Sequence, residues 1–146
     1  MSTGAILFVD DELPIRETLA LCFRKQGLPV VTACSAAEAK LAAATVAFDL
    51  VILDLDLAGE NGLDLMGFFK AKYPRLPIII FTAFGADKDL LAKSLAAGAS
   101  AFMDKTESLH RLLAEVRRHL PGTPLTHPLP LPKRQPPSKP LSRDLP

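Results

Sequence analysis

The chain has 146 residues, of which 49% are hydrophobic and 23% charged, and its formal net charge is +1. This length suits one globular domain of roughly 100 to 150 residues with an extension, and it is too short for two well-packed domains. No apolar run approaches the ~20 residues that a membrane-spanning helix needs, and neither half of the chain is basic enough to indicate nucleic-acid binding. The first residues lack the basic segment and apolar core of a secretory signal, so we expect a cytoplasmic protein with no membrane contact.

The first half of the chain alternates short apolar runs with helical patterns. Residues 5–9 form a continuous apolar run closed by acidic residues, which is typical of a strand buried on both faces of a parallel sheet. An amphipathic helix is predicted over 14–25 and ends before Gly27. A second strand is predicted at 30–32. An alanine-rich helix follows at 36–47.

The second half repeats this order three times. A third strand at 50–53 precedes a helical pattern that starts at Leu63 and ends at Tyr73 and Pro74. A fourth strand at 78–81 precedes a helix at 88–97. A weaker fifth strand at 100–103 precedes a helix at 109–120.

Five strands alternating with five helices favour parallel pairing with right-handed crossovers. We therefore predict an α/β fold with three layers: a doubly wound (βα)5 parallel sheet covered by helices on both faces. Ligands bind such sheets outside the carboxyl ends of the strands, so polar residues there are candidate functional groups.

The composition changes after residue 120. Nine of the 13 prolines lie in the last 26 residues, and this segment carries four Lys/Arg against one Asp/Glu. Such a segment cannot bury enough apolar surface to offset its ordering entropy. We predict a disordered or partly polyproline II tail at 121–146, and a single folded domain at 1–120.

Polar residues occupy the carboxyl ends of four predicted strands. They are Asp10, Asp11, Asp54, Thr82 and Lys105. Three neighbouring carboxylates repel one another unless a cation lies among them, and oxygen ligands that leave room for water and phosphate favour Mg²⁺. Asp54 could then attack a phosphoryl donor while the metal and Lys105 neutralise charge on the transferring oxygens.

This set resembles the receiver domain of two-component response regulators, over roughly residues 4–120. The matching motifs are Phe8-Val9-Asp10-Asp11-Glu12, Leu53-Asp54 with Gly62 eight residues later, Phe81-Thr82-Ala83, Gly98-Ala99-Ser100-Ala101-Phe102, and Lys105. The implied fold has the flavodoxin-like strand order 2-1-3-4-5. The resemblance also implies that Asp54 is the phosphoacceptor, that Asp11 binds Mg²⁺ directly, and that Asp10 acts largely through water.

Further roles follow from the resemblance alone. The backbone carbonyl of Asp56 would be another metal ligand, and Thr82 and Phe102 would form the switch pair. The side chains of Asp56 and Phe84 occupy positions that tune the lifetime of the phosphorylated state in this family. The implied protein is a phosphorylated signalling switch rather than a metabolic enzyme.

Two residues depart from the family pattern. Ala58 stands where proline is usual, which predicts a less rigid loop over the site. Thr106 follows Lys105, where proline joined by a cis bond is common. Because a cis bond before a non-proline residue costs about 3 kcal/mol, we expect the Lys105-Thr106 bond to be trans.

The resemblance also implies partners. A sensor histidine kinase or a phosphotransfer protein would donate the phosphoryl group, with the first helix as the expected recognition surface. A downstream protein would bind the face formed by the fourth helix, fifth strand and fifth helix, around Lys88, Lys93, Phe102 and Arg111. We expect a monomer or a phosphorylation-dependent dimer, and no direct contact with DNA.

Two other functions are compatible with some of these residues. A haloacid-dehalogenase-type phosphatase would use Asp54 and Asp56 as nucleophile and general acid, but in that family the Asp-x-Asp strand comes first and the acidic pair last. A pseudo-receiver would keep the fold and act as an interaction module without being phosphorylated. The presence of all five site residues favours phosphorylation over the second alternative.

Overall fold

The computed structural model describes residues 4–57, 59–83 and 88–120, and its elements follow the predicted alternation. The strands are β1 (Ile6–Val9), β2 (Val30–Ala33), β3 (Leu50–Leu53), β4 (Asp56–Leu57), β5 (Glu60–Asn61), β6 (Ile78–Thr82) and β7 (Ala101–Asp104). The helices are α1 (Leu13–Lys25), α2 (Ala36–Thr45), α3 (Gly62–Lys72), α4 (Lys88–Ala96) and α5 (Leu109–His119). The predicted tail at 121–146 lies outside the described residues, and so do Ala58 and Phe84.

Five strands form one parallel sheet in the order β2-β1-β3-β6-β7. Numbered among the sheet strands alone, this is 2-1-3-4-5, so the predicted flavodoxin-like order is confirmed. β1 lies between β2 and β3, so the chain adds β2 on one side of β1 and all later sheet strands on the other side. The carboxyl ends of β1 and β3 are therefore adjacent, and ligands bind at this position in doubly wound sheets.

Side chains alternate between the two faces of the sheet along each strand, and helices cover both faces. Ile6 and Phe8 of β1 point into a core formed with α1 and α5, while Leu7 and Val9 point into a second core formed with α2 and α3. The residues of β1 and β3 are all completely buried. This explains why both strands appear in the sequence as continuous apolar runs.

A small hairpin was not predicted. β4 and β5 pair antiparallel in the segment between β3 and α3, with Asp56 opposite Asn61 and Leu57 opposite Glu60. Leu57 is 1% exposed and belongs to the same core as α3. The hairpin thus attaches the segment that follows the phosphoacceptor candidate to the body of the domain.

The helix ends agree with their local sequences. Pro14 lies in the first turn of α1, where a missing N–H costs nothing, and Gly27 ends the turn after this helix with φ +78°. Ser35 caps α2 and Ser108 caps α5 through their side chains. Within the described ranges, no helix combines the length and apolar character that crossing a membrane would require.

Candidate functional site

The sheet itself positions three of the predicted site residues. Its backbone hydrogen bonds continue one residue beyond the strands: Asp10 N–H donates to Ala33, Asp54 N–H to Val9, and Lys105 N–H to Thr82, at 3.0, 2.9 and 2.9 Å. Asp10, Asp54 and Lys105 are therefore held at the same edge of the sheet.

The Lys105 ammonium lies among three carboxylates. Its Nζ is 2.9 Å from Asp10 Oδ2, 2.7 Å from Glu12 Oε1 and 2.8 Å from Asp54 Oδ2. Burial alone would lower the pKa of Lys105, but the hydrogen bonds to Asp54 and Glu12 and the charge of Asp10 outweigh burial and raise this pKa. Lys105 consequently stays protonated and supplies the positive charge that the buried acids need.

Burial makes the charged form of Asp10 costly. Asp10 is completely buried, and this burial raises the pKa of its carboxyl group. The hydrogen bond from the Glu12 N–H and the contact with Lys105 act in the opposite direction. Asp10 Oδ1 accepts the Glu12 N–H at 2.8 Å. Asp10 Oδ2 is close to the Lys105 ammonium but has no partner in hydrogen-bond geometry among the described residues. This oxygen can therefore accept another ligand.

Asp54 is 2% exposed, and each of its carboxylate oxygens accepts a hydrogen bond. Oδ2 accepts from Lys105, and Oδ1 accepts from the Asp56 N–H at 3.1 Å. A carboxylate offers about four lone-pair positions, so one donor on each oxygen leaves capacity for a cation or for attack on an electrophile. Both contacts also fix the orientation of the carboxylate.

Thr82, the last residue of β6, is completely buried. Its Oγ1 finds no hydrogen-bond partner among the described residues. An unpaired buried hydroxyl costs free energy, and this one lies at the cavity, where it could donate a hydrogen bond to a ligand.

A cavity of about 160 Å³ opens over these groups. Its lining residues are Asp11, Glu12, Asp54, Asp56, Thr82, Ala83 and Lys105. The structure thus places four of the five predicted strand-end residues around one cavity, and the fifth, Asp10, contacts Lys105 of the same cavity. Asp11 and Asp56 line the cavity but lie outside the cluster of carboxylates around Lys105.

Phe102 does not line this cavity. It is half-buried on β7, opposite Ile80 of β6 in the strand register, and packs against the core that contains α3. Phe84, the other predicted aromatic residue, falls in 84–87 and lies outside the described residues.

Glu12 is a site residue that the sequence did not reveal. It was interpreted as part of an acidic motif, whereas its carboxylate makes the shortest contact to Lys105. A local turn supplies only part of this geometry. Asp10 accepts the N–H of the residue two positions later, and this turn directs the Glu12 side chain back toward the carboxyl end of β1.

The Lys105-Thr106 bond is trans, as predicted, since the described residues contain no cis peptide. Asp104 provides an alternative local constraint. Its Oδ1 accepts hydrogen bonds from the Thr106 N–H and Oγ1 at 2.8 and 2.9 Å, and its carbonyl accepts the Glu107 N–H at 2.9 Å. This turn holds the backbone after Lys105 without proline.

The residues present are suited to a hard divalent cation. Oxygens of Asp10, Glu12 and Asp54 all lie within 4.8 Å of one another, and one oxygen of Asp10 lacks a hydrogen-bond partner among the described residues. An all-oxygen donor set beside an open cavity is typical of Mg²⁺ sites that retain water. Lys105 binds the same oxygens, so metal and ammonium would share them.

Comparison with known proteins agrees with this geometry. The sequence model of the response regulator receiver domain matches residues 6–117. The chain belongs to the response regulator receiver domain family.

Several relatives of this receiver are transcriptional regulators. It is 36% identical over 117 residues to the alginate biosynthesis transcriptional regulatory protein AlgB of Pseudomonas putida, a match that covers 80% of this chain and 26% of AlgB. It is 36% identical over 112 residues to the response regulator protein PilR of Pseudomonas aeruginosa, covering 77% of this chain and 25% of PilR. The chain thus spans about a quarter of the length of these relatives.

Solved receiver structures have the same fold. A CheY-like receiver domain protein from Methanospirillum hungatei superposes with a TM-score of 0.75 at 26% identity, covering 80% of this chain and 93% of the other. The chemotaxis protein CheY4 of Vibrio cholerae gives 0.76 at 25% identity, covering 82% of this chain and all of CheY4. Receivers are signalling switches of two-component systems rather than metabolic enzymes.

Proposed function

We propose that this receiver accepts a phosphoryl group on Asp54 from a phosphohistidine, with Mg²⁺, in the cytoplasm. The observation that supports this most strongly is the arrangement around Asp54: a fixed carboxylate, hydrogen-bonded to Lys105, at the wall of an acidic cavity. An Asp54 oxygen forms the new P–O bond as the P–N bond of the donor breaks, and the bonding electron pair leaves with the imidazole nitrogen.

The residues around Asp54 have separate roles in this transfer. Lys105 offers a protonated amine at the position where charge on the phosphoryl oxygens must be neutralised, and Thr82 offers an unpaired hydroxyl. Asp10, Asp11, Glu12 and the Asp56 backbone carbonyl are the candidate metal ligands beside Asp54. A bound Mg²⁺ would supply further charge neutralisation on the transferring oxygens.

The switch follows from the same groups. The Thr82 hydroxyl would turn toward the phosphoryl oxygens, and half-buried Phe102 on the adjacent strand would turn inward as Thr82 moves. Phosphorylation would in this way shift the population of conformations of the α4–β7–α5 face, where Lys88, Lys93 and Arg111 are exposed. A downstream protein, or a second copy of the chain, would bind this face. The Asp56 side chain, exposed at the cavity, would tune the rate of dephosphorylation.

Kinase or phosphotransfer-protein recognition is assigned to α1. Leu13 and Leu21 of this helix are 52% and 55% exposed, and its first turn lies beside the cavity wall at Glu12. Exposed leucines near a reactive carboxylate suit docking of a partner that must bring a phosphohistidine to Asp54.

The chemistry is tested by intact mass after incubation with acetyl phosphate. We expect a gain of one phosphoryl unit, about 80 Da, in wild type with Mg²⁺ and no gain with EDTA. Asp54→Asn should show no gain. Asp64→Asn, which changes an exposed aspartate of α3, is the matched control and should behave as wild type.

Three results would change the proposal. A gain in Asp54→Asn that equals wild type would refute Asp54 as the acceptor. No gain in any variant, with Mg²⁺ present, would favour the pseudo-receiver. Sustained turnover of a phosphate ester would favour the phosphatase, because a receiver modifies itself.

A further inference from the structure

The segment between Asp54 and α3 carries the candidate Asp56 ligand, and the structure attaches it at several points. Leu57 is buried in the core, and the Gly62 N–H donates to the Leu55 carbonyl at 3.0 Å. Asn61 caps α3 by accepting the Leu63 N–H at 2.9 Å. These contacts hold the two ends of the segment against the body of the domain.

One contact links the hairpin to a different helix. Glu60 Oε1 accepts a hydrogen bond from the Ala36 N–H at 3.0 Å. Ala36 is the first residue of α2, and its N–H is one of the donors that have no partner inside a helix. The other cap of α2 is made independently, by Ser35 accepting the Glu38 N–H. A carboxylate is also favoured at this position by the helix dipole.

We propose that Glu60 is a positioning residue: by tethering the hairpin to α2, it fixes where the segment between Asp54 and α3, the phosphoacceptor loop, lies relative to the cavity. The inference rests on the proposed function, since it assigns the tether a role in metal binding by that site. Glu60 lies opposite Leu57 in the hairpin, and Leu57 is adjacent to Asp56. A displacement of Glu60 is therefore transmitted through one pair of residues to the backbone carbonyl of Asp56.

The hydrogen bond can be removed from either side. Glu60→Ala removes the acceptor. Ala36→Pro removes the donor, and α2 tolerates this change because proline is favoured at the first helical position and Ser35 already has the extended backbone, φ −155° and ψ 168°, that a residue before proline prefers. The double variant completes a cycle in which the two changes should not be additive.

The readout is the apparent Mg²⁺ affinity of the unphosphorylated chain, measured by calorimetric titration. Loss of one hydrogen bond to a charged group should weaken Mg²⁺ binding by up to about fivefold in Glu60→Ala and in Ala36→Pro, with no further loss in the double variant. Glu60→Gln, which retains an acceptor oxygen, should recover most of the affinity. Ser35→Ala is the control: it weakens the N-cap of α2 without removing the tether, so it should lower thermal stability and leave Mg²⁺ affinity unchanged.

Amide hydrogen exchange over residues 56–61 provides a second readout, which needs no metal and no phosphorylation. We expect exchange to be faster in Glu60→Ala and Ala36→Pro, and unchanged in Ser35→Ala. An effect of Glu60→Ala that is undiminished in the Ala36→Pro background, or unchanged exchange in both single variants, would overturn the tether. Altered exchange with unaltered Mg²⁺ affinity would overturn its role in positioning the loop. Wild-type protein that binds Mg²⁺ but gains no phosphoryl group would contradict the proposed function, whereas the tether would still be judged by the Mg²⁺ affinity and amide exchange of the variants.

Discussion

Replacing Gly62 with alanine tests how tightly the segment after Asp54 packs against the first turn of α3. A Cβ added at Gly62 would lie 2.5 Å from Leu55 Cα, 2.8 Å from the Asp54 carbonyl oxygen and 2.9 Å from the Leu55 carbonyl oxygen. Carbon atoms attract one another best at about 3.5 to 4.0 Å, so the backbone must separate by roughly 1 Å. All three neighbours are backbone atoms, and no rotation of a side chain can relieve the overlap.

The free energy of unfolding should fall by about 2 to 3 kcal/mol in Gly62→Ala, the upper part of the usual overpacking range of about 1 to 3 kcal/mol, because all three contacts are with backbone atoms. For a domain of this size, that corresponds to a melting temperature lower by roughly 8 to 12 °C. Phosphorylation by acetyl phosphate should slow as well, because the displaced atoms belong to Asp54 and Leu55.

Gly67→Ala is the matched control within the same helix. A Cβ there meets nothing within 4 Å, and the position is exposed. Alanine in a helix interior is favoured over glycine by about 0.5 to 1 kcal/mol, so this variant should be more stable than wild type. Urea unfolding followed by circular dichroism compares the three proteins. Equal stability of the two variants would refute the close packing of Gly62.

Three further predictions concern the site and its surroundings. Thr82→Val should leave the unphosphorylated protein at least as stable as wild type in urea unfolding, because it removes a buried hydroxyl that has no hydrogen-bond partner among the described residues. The same variant should weaken the changes in partner binding that depend on phosphorylation. A hydrogen bond to Glu38 raises the pKa of the Cys34 thiol, so Glu38→Gln should lower this pKa and increase the thiolate fraction at pH 8. Alkylation of Cys34 should then become faster relative to that of Cys22, as measured by peptide mass. An unchanged ratio of the two alkylation rates would contradict this prediction. Deleting residues 121–146 should leave the melting temperature and phosphorylation intact, because both described cores lie within 5–120, and a large loss of stability would show that the predicted boundary is wrong.

The sheet was predictable from sequence because its strands are buried on both faces. Runs such as those of β1 and β3 must be continuously apolar when helices cover both sides, and their ends are marked by Asp10 and Asp54. Predicted and observed boundaries differ by at most two residues, as for the strand predicted over 5–9 and found at Ile6–Val9. Terminal hydrogen bonds decide such differences, and composition does not report them.

The hairpin and the role of Glu12 were not predictable in the same way. β4 and β5 have two residues each, too few for an alternating pattern, and their pairing depends on the burial of Leu57 in a core assembled by distant parts of the chain. The contact between Glu12 and Lys105 joins residues 93 positions apart. Both features come from tertiary structure, which local patterns do not encode.

The charges around Lys105 suggest an order of binding at this site. One ammonium faces the carboxylates of Asp10, Glu12 and Asp54, so the cluster keeps a formal charge of −2 when all three are ionised. Asp11 and Asp56 line the same cavity and add to the negative potential. A phosphoryl donor is itself an anion and would be repelled, whereas a divalent cation would be attracted. The cation should therefore bind first and create the positive surface on which the phosphoryl group can approach Asp54. Mg²⁺ should consequently bind the unphosphorylated chain without any phosphoryl donor, and acetyl phosphate without Mg²⁺ should not bind detectably in the same calorimetric titration.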